Sequence, residues 1–68
     1  MAFERIVIEK VSKKLPNSFP NFVCGCLFAS VNEEEVGTVV KAIKEVVAPG
    51  VRVQVNGPVQ DEYAFDII

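Results

Sequence analysis

Hydrophobic positions in this chain fall into five stretches, and the densest is residues 22–29, eight residues with no charge and no proline. A run that short is strand-sized and well below the length of a membrane span. In an extended strand Phe22, Cys24, Cys26 and Phe28 line one face, and Val23, Gly25, Leu27 and Ala29 line the other. Both faces are apolar, so each calls for a cover.

Upstream, residues 3–11 read as a first strand, with Phe3, Val7 and Val11 on one face and Ile6 and Ile8 on the other. Glu4, Arg5, Glu9 and Lys10 are mixed in, as on an edge strand that uses charge to discourage aggregation. Residues 12–21 contain Pro16, Asn17, Pro20 and Asn21 without any period, and predict a loop. It is longer than the roughly 2–5 residues of an ordinary hairpin connection.

Downstream, the helix signals agree with one another. Asn32 is a good N-cap, Glu35 completes a capping-box pattern, and Val31 with Val36 has the spacing of a hydrophobic staple. Glu33, Glu34 and Glu35 suit the positive end of the helix dipole, while Lys41 and Lys44 lie nearer the other end. Val36, Val39, Val40, Ile43, Val46 and Val47 form one apolar stripe at helical spacing. Their β-branching weakens intrinsic helicity, so tertiary packing must hold the helix. Pro49 and Gly50 end it. Residues 51–55 alternate as a strand with Arg52 and Gln54 on the wet face, Asn56-Gly57-Pro58 makes a turn, and residues 63–68 form a last strand.

The predicted order is β-β-α-β-β: an α+β two-layer sandwich in one domain, residues 1–68, with one helix packed on a four-stranded mixed sheet. Strands two and three, joined through the helix, should run parallel with a right-handed crossover, and the flanking connections should be antiparallel. One helix covers one side of residues 22–29. The other side, Val23, Gly25 and Leu27, is the expected oligomer interface, with pairing through an edge strand as the alternative contact.

Size sharpens that expectation. At 68 residues only about 60% of the unfolded surface becomes buried, and chains of this size commonly depend on a disulfide, a metal or oligomerisation. Two cysteines two positions apart make a poor disulfide framework, and there is no histidine to complete a metal site. Oligomerisation remains. The thirteen valines favour a sheet-rich core. A net charge of −2 gives no overall attraction to phosphate, so nucleic acid is disfavoured as a partner. The first residues lack the basic and apolar regions of a signal peptide, no membrane segment is present, and the cytoplasm is the expected compartment.

Candidate chemistry adds little. Cys24 and Cys26 on one strand face read as buried small hydrophobes, with no metal and no cofactor implied. The three glutamates read as helix capping, and Lys10, Lys13 and Lys14 as a solvated loop edge. Without histidine no proton shuttle near neutral pH is at hand, and no catalytic residue is assigned. The loop is the candidate partner-binding element: Leu15 and Phe19 as apolar anchors, Lys13 and Lys14 at the rim, stiffened by two prolines. For Leu15 and Phe19 the competing reading is that they cap the open end of the core. The chain therefore reads as a small non-enzymatic interaction module, adaptor or regulatory, that associates with itself and presents a surface to another protein. The alternative is a small enzyme or ligand-binding protein with a pocket between subunits.

Overall fold

The computed structural model describes residues 2–68. Among them the order is α1 (Ala2–Lys14), β1 (Asn21–Val23), β2 (Cys26–Ala29), a 3-10 turn (Glu33–Glu35) leading into α2 (Val36–Lys44), β3 (Val53–Val59) and β4 (Glu62–Ile67). The fold is α+β: a four-stranded antiparallel sheet in the order β1-β2-β4-β3, with two helices on one face.

The first strand expected over residues 3–11 is instead the helix α1. A spacing of four, as in Phe3, Val7 and Val11, satisfies both the strand period and the helical period. Arg5 and Glu9 break the tie, because a strand would put them on the same face as the three apolar residues. In the helix both are exposed, while Val7 and Val11 are buried and Phe3, Ile8 and Leu15 pack against the core.

The second expected strand, residues 22–29, is a hairpin. Val23 pairs with Cys26, and between them Cys24 and Gly25 take φ +53° and +78°. Two successive positive φ angles define the tight turn whose twist suits antiparallel strands. The turn resets the alternation. Phe22 lies opposite Leu27 on the helix-covered face, its ring centroid 6.0 Å from that of Phe3. Val23, Cys26 and Phe28 lie on the open face.

The sheet is antiparallel throughout, so the mixed sheet is corrected too. β2 and β3 do run in the same direction, but β4 is inserted between them and pairs antiparallel with both. Leu27 lies opposite Phe65 and Ala29 opposite Tyr63. With Val7, Val11, Val31, Val39, Ala42 and Ile43 they make one core. Leu27 and Phe65 are fully buried, and each such side chain contributes roughly 1.5–3 kcal/mol. Glu45, just past α2, accepts from Lys10 Nζ at 3.3 Å and lies 3.8 Å from Lys14 Nζ, tying the two helices together. These ion pairs are half-exposed, so each is worth at most about 1 kcal/mol.

The open face is less apolar than the sequence suggested. Cys26, Asp66 and Gln54 form one row across it, and Phe28, Ala64 and Asn56 the next. Asn56 Nδ2 donates to Asp66 Oδ2 at 3.1 Å. The β3–β4 turn is a second two-residue turn, Gln60 and Asp61 at φ +53° and +64°, so the expected turn residues Asn56, Gly57 and Pro58 lie inside β3 instead. Just before it the ladder is irregular between Asn56 and Val59, where Gly57 takes φ +119°.

Candidate functional site

The connection from α1 to β1 is built like a clamp. Leu15 N–H donates to Val11 carbonyl at 2.8 Å, extending the helical bonding by one residue. Ser18 then turns the chain: its N–H and its hydroxyl both donate to the Leu15 carbonyl, at 3.0 and 2.7 Å. Ser18 carbonyl accepts from Ser30 N–H at 2.6 Å, which fastens the loop to the end of β2. Ser18 is 2% exposed. It is the one buried polar side chain among the described residues, and its hydroxyl is satisfied locally.

The next residue does the opposite. Phe19 takes φ +48°, a conformation that a bulky residue adopts at a cost, and its side chain is 72% exposed. A pinned, buried serine beside an outward phenylalanine places the ring in solvent by backbone geometry.

The four loop residues singled out from the sequence do not converge. Leu15 is half-buried against the core and takes the capping role. Phe19 stands free of the core. Lys14 is drawn toward Glu45, and Lys13 is exposed at the end of α1. The rim of charge around a joint Leu15–Phe19 anchor therefore reduces to a single aromatic knob. Beside the loop lies a shallow hollow of about 180 Å³, lined by Lys14, Leu15, Pro16, Asn17, Ser18, Ser30 and Glu35. Ser30 also borders a second hollow of about 310 Å³, at the start of α2, with Asn32, Glu33, Pro58, Asp61 and Tyr63.

The expected oligomer residues are likewise dispersed. Leu27 is fully buried beneath the helices and cannot meet a second copy. Val23 and Gly25 are exposed, at the hairpin tip. Two causes combine: alternation carried through residues 22–29 ignores the turn at Cys24 and Gly25, which puts Val23 and Leu27 on opposite faces, and the helices cover the face that holds Leu27.

That turn also separates the cysteines. Cys24 is exposed at the tip, contrary to the expectation of two buried thiols on one face. Cys26 is half-buried on the open face opposite Asp66. Burial, then the hydrogen bond and negative charge of Asp66, push its thiol up to about 11, against a smaller opposing effect of the Phe65 backbone. A thiol so raised is protonated at neutral pH and a poor nucleophile or metal ligand. Among the described residues no group of three or more His, Cys, Asp or Glu side chains could hold a metal ion. No helix there is long and apolar enough to cross a membrane.

Of the three glutamates, Glu35 caps the start of the helix. Glu35 Oε1 accepts from Asn32 N–H at 3.0 Å, and Glu35 N–H donates to Asn32 carbonyl at 2.8 Å.

The expected edge-strand contact named no strand, and in the observed sheet order β3 is one of the two edges. The signal was available: residues 51–56 alternate without proline and carry one charge. Comparison of the chain with protein-family models, with curated proteins and with solved structures gives no match.

Proposed function

We propose that this protein is a small, non-enzymatic interaction module of the cytoplasm that associates with itself and docks on another protein through Phe19. The observation that supports this reading is the contrast between Ser18, 2% exposed, and Phe19, 72% exposed, on a loop held by three hydrogen bonds. An aromatic ring in water costs free energy that a partner's pocket recovers, and a pinned backbone loses little entropy when it binds. Large aromatic side chains are also common energetic anchors of protein interfaces.

The test is Phe19→Ala. Because the ring is outside the core, the melting temperature should stay within about 2 °C of the parent, corresponding to a stability change under roughly 0.5 kcal/mol. Capture of the partner from the native host should be lost. An unchanged set of captured proteins would remove the docking role from Phe19. A melting temperature lowered by about 10 °C would return it to the core.

A further inference from the structure

We infer that two copies of this chain join edge to edge through β3, forming one continuous eight-stranded antiparallel sheet about a twofold axis at Gln54. This rests on the self-association in the proposed function and names the surface that carries it.

The hydrogen-bond phase of β3 provides the first argument. Arg52 N–H donates to Ile68 carbonyl at 3.2 Å, and Ile68 N–H to Arg52 carbonyl at 2.8 Å. A reciprocal pair fixes the alternation along an antiparallel ladder. Gln54 opposite Asp66 and Asn56 opposite Ala64 are then the next bonded pairs. Val53 and Val55 must aim their N–H and C=O groups away from β4, toward the free edge. Among the described residues no backbone hydrogen bond reaches those four groups, because β3 pairs with β4 alone.

The edge is also unguarded. The opposite edge of the sheet, β1, is three residues long and follows Pro20, a combination that blunts pairing. β3 has no proline before Pro58, and its one charge from residue 51 to residue 56 is Arg52. Val53 and Val55, turned to the helix side, are half-buried within the single copy. Beside the same two valines of a second copy they would be covered.

The register follows from these constraints. The outward groups of Val53 must meet those of Val55 in the other copy, and the reverse, which uses all four groups on each edge. A register shifted toward the start of the strand would engage Val51, whose N–H already donates to Ala48 carbonyl at 3.2 Å. A shift to centre on Arg52 would set two like charges face to face. In the Gln54-centred register Arg52 faces Asn56, and Gln54 faces its own copy with no charge opposed. The contact is isologous and closes at two.

The test uses the full chain and three measurements of mass by sedimentation equilibrium. The parent should be a dimer of 7.5 kDa chains at micromolar concentration. Gln54→Lys, at an exposed position opposite Asp66, puts two ammonium groups together at the twofold axis and should weaken dimerisation by about tenfold or more at low salt. Mixing it with Gln54→Glu should restore a mixed dimer, with circular dichroism verifying that both variants are folded. A dimer that Gln54→Lys leaves as tight as the parent would overturn the β3 edge while leaving self-association standing. A parent that stays monomeric up to millimolar concentration would overturn both.

Discussion

Three of the glycines should respond to the same substitution, alanine, with different signs and sizes, and the differences are fixed by the local backbone. Gly37 lies in α2 with ordinary helical geometry and nothing within 4 Å of an added methyl group. Replacing it removes the flexibility penalty of glycine in a helix, so Gly37→Ala should stabilise by about 0.5–1 kcal/mol. Gly25, at φ +78°, also has open space, but its backbone lies where a Cβ is strained, so alanine there should cost about 1 kcal/mol. Gly57 carries both penalties. At φ +119° the strain is of order 1–3 kcal/mol. A Cβ would also lie 3.1 Å from Glu62 carbonyl oxygen and 3.3 Å from Val59 nitrogen, backbone atoms locked in the β3–β4 hairpin. Relieving those contacts by bending angles adds about 1 kcal/mol, and the smaller entropy of the unfolded alanine chain returns about half of that. The expected cost is about 2–3 kcal/mol, a large part of the roughly 3–10 kcal/mol that a chain of this size has in total. Urea unfolding followed by circular dichroism, at one protein concentration so that self-association is held fixed, measures all three. Equal effects at Gly25 and Gly57 would refute the role of the backbone contacts, and a destabilised Gly37→Ala would refute the account of α2.

Two further outcomes follow from the loop and the hairpin. With a thiol reagent at pH 7.5, Cys24 should react rapidly and Cys26 slowly, and the Cys26 rate should rise with a midpoint near pH 11. Because that thiol is raised above its unfolded value, its contribution to stability is complete below about pH 8.5 and is lost as pH rises toward 11; Cys26→Ser should abolish this part of the alkaline decline, and equal labelling of both thiols at neutral pH would contradict the structure. Ser18→Ala should cost about 1 kcal/mol, the usual worth of a hydrogen bond, since the Leu15 carbonyl keeps its bond from the Ser18 N–H; no loss in urea unfolding would show that the hydroxyl does not hold the loop.

The helix α2, its glutamate cap and both C-terminal strands could be read from the sequence because several signals coincide in each. Spacing and capping residues agree at the start of α2, although the helix ends at Lys44, before the expected Pro49-Gly50 stop, and strict alternation marks residues 51–55, of which β3 takes up Val53 to Val55 and continues to Val59. Elsewhere one signal stood alone. Phe3, Val7 and Val11 at a spacing of four fit either period, and only the cost of burying Arg5 and Glu9 selects the helix. Cys24 and Gly25 were hidden because cysteine is apolar and extends a hydrophobic run. Yet a residue followed by glycine between two short apolar segments is also a hairpin signal. That one oversight reversed the assignment of faces before the turn and, with the helices covering the face that holds Leu27, displaced the expected interface. At the loop, the sequence marked Leu15 and Phe19 together. Which one enters the core depends on the local bonding of Ser18, a three-dimensional fact with no periodic signature.

The insertion of β4 between β2 and β3 bears on how the chain folds as it leaves the ribosome. β1–β2 and β3 have no ladder joining them, and each depends on the strand that is synthesised after both. Cys26 meets Asp66 across a separation of about 40 residues, so the central pairing is among the most distant in sequence. Until Ile67 has emerged, Leu27 lacks its Phe65 partner and the β3 valines have no strand to pair with. Folding is therefore held to the end of translation of this segment, and during that interval the nascent chain shows chaperones and other nascent chains the hydrophobic surface that the native sheet conceals.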